Sequence, residues 1–205
     1  MRTDKFLAPY LPYAHIRIIA EEFITKYHPE KTIPIPIEEI VEFGLDIDII
    51  PLEDLQEKIE VDGFISNDLK EIFIDKWVYE NRENRARFTI AHEVGHTILH
   101  KALYKSIEFN SPEEWKKFVN SIPSREYGFL ELHANNFAGL VLVPSESLRE
   151  RFEEAVKIYE SEGFDPRSLS SSDIAVEYIS NWLARRFKVS AQVIQRRIDK
   201  EGLLS

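Results

Sequence analysis

The sequence predicts a mostly helical α+β protein with a small antiparallel or mixed sheet and a helix-turn-helix-like pair of helices near its C-terminal end. Three observations support this. Apolar residues recur at helical spacing over most of the chain. Strand-like alternation is confined to residues 45–75. Two helical patterns late in the chain are separated only by Phe187-Lys188-Val189-Ser190.

Residues 12–28 place Ile16, Ile19, Ala20, Phe23, Ile24 and Tyr27 on one helical face. A Pro-rich connector follows. The second Pro of "HPEKTIPIPIEEI" is expected to open a short helix through Phe43, with Gly44 as the stop. "LDIDIIP" alternates like a strand. "VDGFISNDLKEIFID" reads as a hairpin turning at Ser66-Asn67-Asp68. A charged loop, "ENRENRAR", leads into a helix from Phe88 to Leu103, with Thr89 as its expected N-cap. The next helix runs from about Ser124 to Val143 and stops before Pro144. An acidic amphipathic helix follows, then a polar linker, "SEGFDPRSLSSSD". The last two helices cover about 173–187 and 190–200. The expected organisation is a main domain over 1–168, with a helical extension at about 1–30, and a C-terminal helical segment over 169–205 packed on it.

Composition narrows the function classes. With 205 residues, 43% apolar and 30% charged, the chain has the profile of a soluble globular protein. No apolar run approaches the ~18 residues of a membrane span. The N-terminal stretch is broken by Pro9, Pro12 and His15 and has no signal-peptide pattern, so the cytoplasm is the expected compartment. There are no cysteines, so any metal must be held by His, Asp or Glu. The net charge of −10 argues against general nucleic-acid affinity. It is unevenly spread: residues 181–200 carry six cationic side chains against Asp199 alone, a net +5 that leaves −15 on the remainder.

The chemistry concentrates in "RFTIAHEVGHTILH", residues 87–100. Helical residues four apart are only ~40° apart around the axis. His92 and His96 therefore project from one face and can converge on a single ion. Glu93, rotated ~100° from His92, overhangs the open coordination position, where it can act as general base toward water. This is the H-E-x-x-H arrangement of zinc hydrolases. Gly95 costs about 1 kcal/mol relative to Ala inside a helix, so a close packing contact is expected there. His100 continues the stripe but lies ~12 Å along the axis from His92, which suits support better than ligation. A third ligand is expected in "ELHANNFAGLVLVP". Glu131 is the stronger candidate, with Asn135 one turn on to hold a ligand histidine through its other ring nitrogen. His133, on a different side of that helix, is the alternative. Tyr127, just upstream, is a candidate hydrogen-bond donor to a developing oxyanion.

These two blocks together resemble the ImmA/IrrE family of bacterial zinc metallopeptidases. The first match comprises Arg85, Arg87, Phe88, Thr89, Ala91, His92, Glu93, Gly95, His96 and His100. The second comprises Glu131, Ala134, Asn135, Phe137, Ala138 and Pro144. The likeness extends over roughly 35–200. The usual Leu-Leu-Met-Pro ending of the second block is Val141-Leu142-Val143-Pro144 here. The resemblance implies a zincin-like fold, zinc held by His92, His96 and Glu131, and Glu93 as base. It also implies cleavage or inactivation of a helix-turn-helix repressor. A His-His-Glu site also accepts manganese or iron.

Some features have competing readings. In "WLARRFKVSAQVIQRRI", Ala184, Ser190 and Ile194 fit a helix-turn-helix, but Lys188 stands where Gly is usual. A helical pair packed on the core with a solvated basic face is preferred over DNA contact through Arg196 and Arg197. "LKEIFID" is read equally well as a substrate-binding edge strand or as a plain strand. At the level of the whole chain, the alternative to an endopeptidase is a non-catalytic regulator that binds a repressor or DNA, its metal structural or absent. His15 and His28 are assigned no role.

Overall fold

The computed structural model describes residues 7–170 and 172–204. Helix α1 (Tyr13–Tyr27) is followed by a short α2 (Ile37–Glu39) that widens into a π-helical turn, Ile40–Gly44. Then come β1 (Asp48–Leu52), α3 (Leu55–Ile59), β2 (Gly63–Ile65), β3 (Glu71–Asp75) and α4 (Lys76–Asn81). The second half is helical: α5 (Glu83–Leu99), α6 (Lys101–Tyr104), α7 (Pro112–Ser121), α8 (Ser124–Leu142) and α9 (Ser145–Ser161). A 3-10 turn at Pro166–Ser170 leads to α10 (Asp173–Phe187) and α11 (Ala191–Glu201). The chain is thus mostly helical with one small mixed sheet. No helix among the described residues is long and apolar enough to cross a membrane.

The sheet order is β1-β3-β2, with β1 parallel and β2 antiparallel to β3. Ile72 of β3 sits opposite Ile49 of β1 and Ile65 of β2. "LKEIFID" is therefore the central strand, and its main-chain groups are taken on both sides. Strand β2 is an outer strand, and its first residue, Gly63, lines the cleft described below.

Helices α5 and α8 form the most extensive pairing in the molecule. Ile90 and Val94 of α5 and Phe137 of α8 are fully buried. Burial of each contributes ~1.5–3 kcal/mol. Helix α1 lies along α8 through Ile16, Ala20, Phe23 and Ile24, and Phe23 meets Phe137 edge-on at 5.5 Å. This is the apolar face expected over residues 12–28. A smaller core of Leu55, Ile59, Phe64, Phe109 and Trp115 lies on the other side of the sheet end. Trp115 stacks on Phe64 there, at 5.1 Å.

Several boundaries differ from the sequence reading. Helix α5 begins at Glu83, so the expected charged loop forms its first turn. Its N-cap is Arg82, not Thr89. Thr89 is buried in the helix and packs against Gly63, where a Cβ would lie 2.8 Å from Thr89 Cγ2 and 2.7 Å from the Phe73 carbonyl oxygen. His100 ends α5 as its C-cap, dividing the expected 88–103 helix in two. Within the expected polar linker, Leu169 is buried and Phe164 stacks on Tyr159 at 4.7 Å.

The C-terminal pair has the expected local construction. Ser190 caps α11 by accepting from the Val193 N–H, and Ile194 is buried. Lys188 adopts φ 51°, the left-handed conformation for which Gly is usual. Arg197 departs from the sequence reading. It is 3% exposed, donates to the Val143 carbonyl oxygen at 3.1 Å and to Ser145 Oγ at 3.0 Å, and pairs with Glu201 at 2.9 Å. Arg17 of α1 and Arg149 of α9 also pair with Glu201. Arg197 thus locks α11 to α1, α8 and α9 and is not presented to DNA. Arg196 remains exposed.

Candidate metal centre and cleft

Helix α5 carries His92, Glu93 and His96, and α8 carries Glu131. Their meeting depends on how closely the two helices approach, and Gly95 sets that approach. A Cβ at Gly95 would lie 3.1 Å from Ala134 Cα, 3.2 Å from the Ala134 oxygen and 3.3 Å from Phe137 Cδ1. Two of those three atoms are backbone and cannot rotate away. Gly95→Ala is accordingly expected to lower stability by ~1–3 kcal/mol through overpacking, overriding the ~1 kcal/mol of helix propensity that Ala would add. Denaturant midpoints of the two proteins check this, and a raised midpoint in the variant would refute it.

The expected ligands come together. His92 Nε2 and His96 Nε2 are 3.0 Å apart. Glu131 spreads its carboxylate over both, with Oε2 3.3 Å from His92 Nε2 and Oε1 3.3 Å from His96 Nε2. One ligand atom from each of the three lies within 4.8 Å of the others. An ion bound tetrahedrally at ~2.0–2.1 Å holds its ligand atoms about 3.3 Å apart. Two imidazoles and a carboxylate at these separations fit a divalent metal.

The electrostatics agree with that fit. Burial disfavours the charged form of His92, but Glu131 and Glu93 outweigh it and raise its pKa. Burial would raise the Glu131 pKa, yet hydrogen bonds from His92 and His96 hold it well below the usual carboxylate range. Glu93 is 5% exposed, and burial raises its pKa against the opposing pull of His96 and His92. Its carboxylate is hydrogen-bonded by the Ile65 backbone, at the end of β2.

The supporting residues fall around this group. His100 Nδ1 lies 2.9 Å from His96 Nδ1, the ring nitrogen turned away from Glu131. His100 Nε2 is in turn 3.4 Å from His133 Nδ1. Burial, followed by neighbouring His96 and His133, pulls the His100 pKa down to about 2. His133 therefore sits behind the group, against His100, and is not among the three converging residues. Asn135 hydrogen-bonds His92. Tyr127 lies beside Glu131, and burial followed by that carboxylate pushes its hydroxyl pKa up.

Tyr104 was not singled out by the sequence reading. It is 6% exposed, with its ring 5.7 Å from that of His96. Burial, then Glu93 and Glu131, raise its hydroxyl pKa. The four-residue spacing of His92, His96, His100 and Tyr104 was visible in the sequence, but the break at His100 that brings Tyr104 to the cleft was not.

His92, Glu93, His96, Tyr104, Tyr127, Glu131 and Asn135 line a cleft of about 330 Å³, and His100 and His133 lie behind it. Its rim on the sheet side is Val61, Asp62 and Gly63 at the β2 edge, and Asp62 holds Arg85 at 2.5 and 2.8 Å. Trp115 and Gln56 contribute the far wall.

A family model described as the IrrE N-terminal-like domain, a peptidase family, matches residues 44–199. No curated protein matches the chain. Among solved structures, a Mycobacterium tuberculosis transcriptional regulator superposes with a TM-score of 0.54 at 18% identity, a likeness of fold. The alignment covers 89% of this chain but only 55% of that one. The family match takes in well over half of the chain, including both helices that build the metal group, so the chain belongs to the peptidase family of the IrrE N-terminal-like domain.

Proposed function

We propose that this chain is a zinc-dependent endopeptidase of the cytoplasm that cuts or inactivates a regulatory protein, with a helix-turn-helix transcriptional repressor as its substrate class. The observation that carries the proposal is the convergence of His92, His96 and Glu131 beside a buried Glu93 in an open cleft. His92, His96 and Glu131 would hold the metal. A zinc ion there supplies Lewis-acid polarisation and makes water acidic enough to ionise near neutral pH. Glu93, screened from bulk water, accepts a proton from the attacking water and passes it to the leaving amine. Tyr104 and Tyr127 stay protonated and can donate to the oxygen on which charge develops. The β2 edge offers main-chain groups to an extended substrate strand. His100 orients His96, and Asn135 orients His92.

The test is direct. The purified protein, incubated with a helix-turn-helix repressor encoded beside its gene, is expected to yield discrete fragments. A chelator should abolish them and added zinc restore them. The same chelation should lower the thermal midpoint, since a ligand at a thousand times its Kd adds ~4 kcal/mol of stability. Intact repressor that is nonetheless inactivated, with or without metal, would instead favour a non-catalytic regulator.

A further inference from the structure

The metal cleft does not end at Phe88. That side chain also lines two neighbouring depressions, of about 430 and 520 Å³. Asn135 is shared by the cleft and the first depression, and Arg85 by the cleft and the second. Val193 and Arg196 of α11 line both depressions. The two depressions adjoin the cleft through these shared side chains and make a trough that borders the metal group between the α5–α8 pair and α11.

We infer that this trough receives the continuation of the substrate chain beyond the scissile bond, and that it selects an extended polypeptide segment carrying an acidic side chain. The inference rests on the endopeptidase reading and specifies its substrate. Phe88, Val193 and the half-exposed Leu132 supply apolar surface. Arg196 and Lys200 are exposed above it, and neither has an ion-pair partner among the described residues. Lys200 also lies 5.0 Å from the centre of the Tyr13 ring. Asp199 is the one carboxylate lining the first depression among the described residues. In the second, Glu83 is paired with Lys188 at 2.6 Å. The trough is thus cationic within a chain of net charge −10. An acidic segment is repelled elsewhere on the surface and attracted here, which fixes register as well as affinity. The wall is rigid, because Arg197 and Glu201 tie α11 to α1, α8 and α9. Duplex DNA is the less suitable occupant of a concave trough whose floor is partly apolar and whose Arg197 is internally consumed.

The experiment uses the full chain, zinc-loaded, with Glu93→Gln so that peptides stay intact. Two labelled unstructured peptides differ only in a run of Asp or of Asn placed to one side of a central apolar residue. A second pair has the run on the other side. Fluorescence anisotropy should show the Asp peptide of one pair binding roughly five- to tenfold more tightly than its Asn partner. Arg196→Glu with Lys200→Glu should erase or invert that ratio, and Arg196→Gln should reduce it partway. All variants should remain folded, with the double substitution lowering the thermal midpoint by no more than a few degrees, about what loss of the Lys200–Tyr13 contact and of a cation in the last turn of α11 would cost. Equal binding in both pairs overturns the inference, as does an Asp preference that survives the double substitution. Displacement of the Asp peptide by a short DNA duplex, lost with the same substitutions, assigns the trough to nucleic acid and overturns it too. Because binding is read on intact peptide, failure of the charge preference is separable from a failure of the wild type to cleave, which counts against the peptidase reading alone.

Discussion

Glu93→Gln is expected to lower proteolytic turnover by roughly 10²–10⁴-fold while leaving one metal ion per chain. The amide has the size of the carboxylate and can still accept from the Ile65 backbone, so the fold and the β2 edge should be kept. It cannot take up a proton, which is the function assigned to this position. Metal content should hold because Glu93 is not one of the three converging residues. Measuring turnover on a cleaved repressor, together with metal per chain, checks both halves. Turnover near wild type would remove Glu93 as base. Turnover and metal lost together would make it a structural support of the ligands.

The parts of this fold that were legible in the sequence are those with a local cause. The faces of α1, α5 and α8 follow from apolar periodicity, and the end of α8 from Pro144. Gly95 announced a close contact because its propensity cost needed a reason, and Ala134 is that reason. The pairing of His92 with His96 follows from one helical turn. What stayed hidden depends on partners distant in the chain. Glu83, Asn84 and Arg85 look like a solvated loop. They continue a helix because Asn84 donates to the Val189 carbonyl oxygen, Lys188 pairs with Glu83 and Arg85 pairs with Asp62. Arg197 reads as a surface cation until Glu201, Ser145 and Val143 close around it. Strand order is likewise non-local. The alternation in "LKEIFID" does not reveal that β1 and β2 flank it.

The cleft shows the same division. The H-E-x-x-H spacing names three residues within one turn and a half of helix. Trp115 belongs to α7, a helix the sequence reading did not place, whose apolar face serves the small core around Phe64. Tyr104 reaches the cleft only because the chain turns at His100, where φ is −123°, and restarts as α6. A straight continuation of α5 would have carried Tyr104 further along the helix axis, away from His92.

Glu131→Ala is expected to lower zinc affinity on the order of 10²–10⁴-fold. A complete protein zinc site is worth ~10–16 kcal/mol shared among its ligands, so one ligand accounts for ~3–5 kcal/mol. The loss should be specific to this residue. His133→Ala should keep the metal, because His133 faces His100 and not the space between His92 and His96. His100→Ala and Asn135→Ala should fall between, at ~10–100-fold, because they orient imidazoles without contacting the ion. Competition with a chromophoric chelator ranks the four variants. Thermal midpoints with and without zinc give a second reading, since a variant that binds weakly loses the metal-dependent rise. Without metal, Glu131→Ala also removes the anion lying between two imidazoles, so its apo midpoint is expected to fall as well, and Glu131→Gln, which keeps the packing, separates that effect from ligation. If His133→Ala lost the metal and Glu131→Ala retained it, the ion would have to bind behind α5, on the His100 side, and Glu93 could no longer act on a substrate in the cleft.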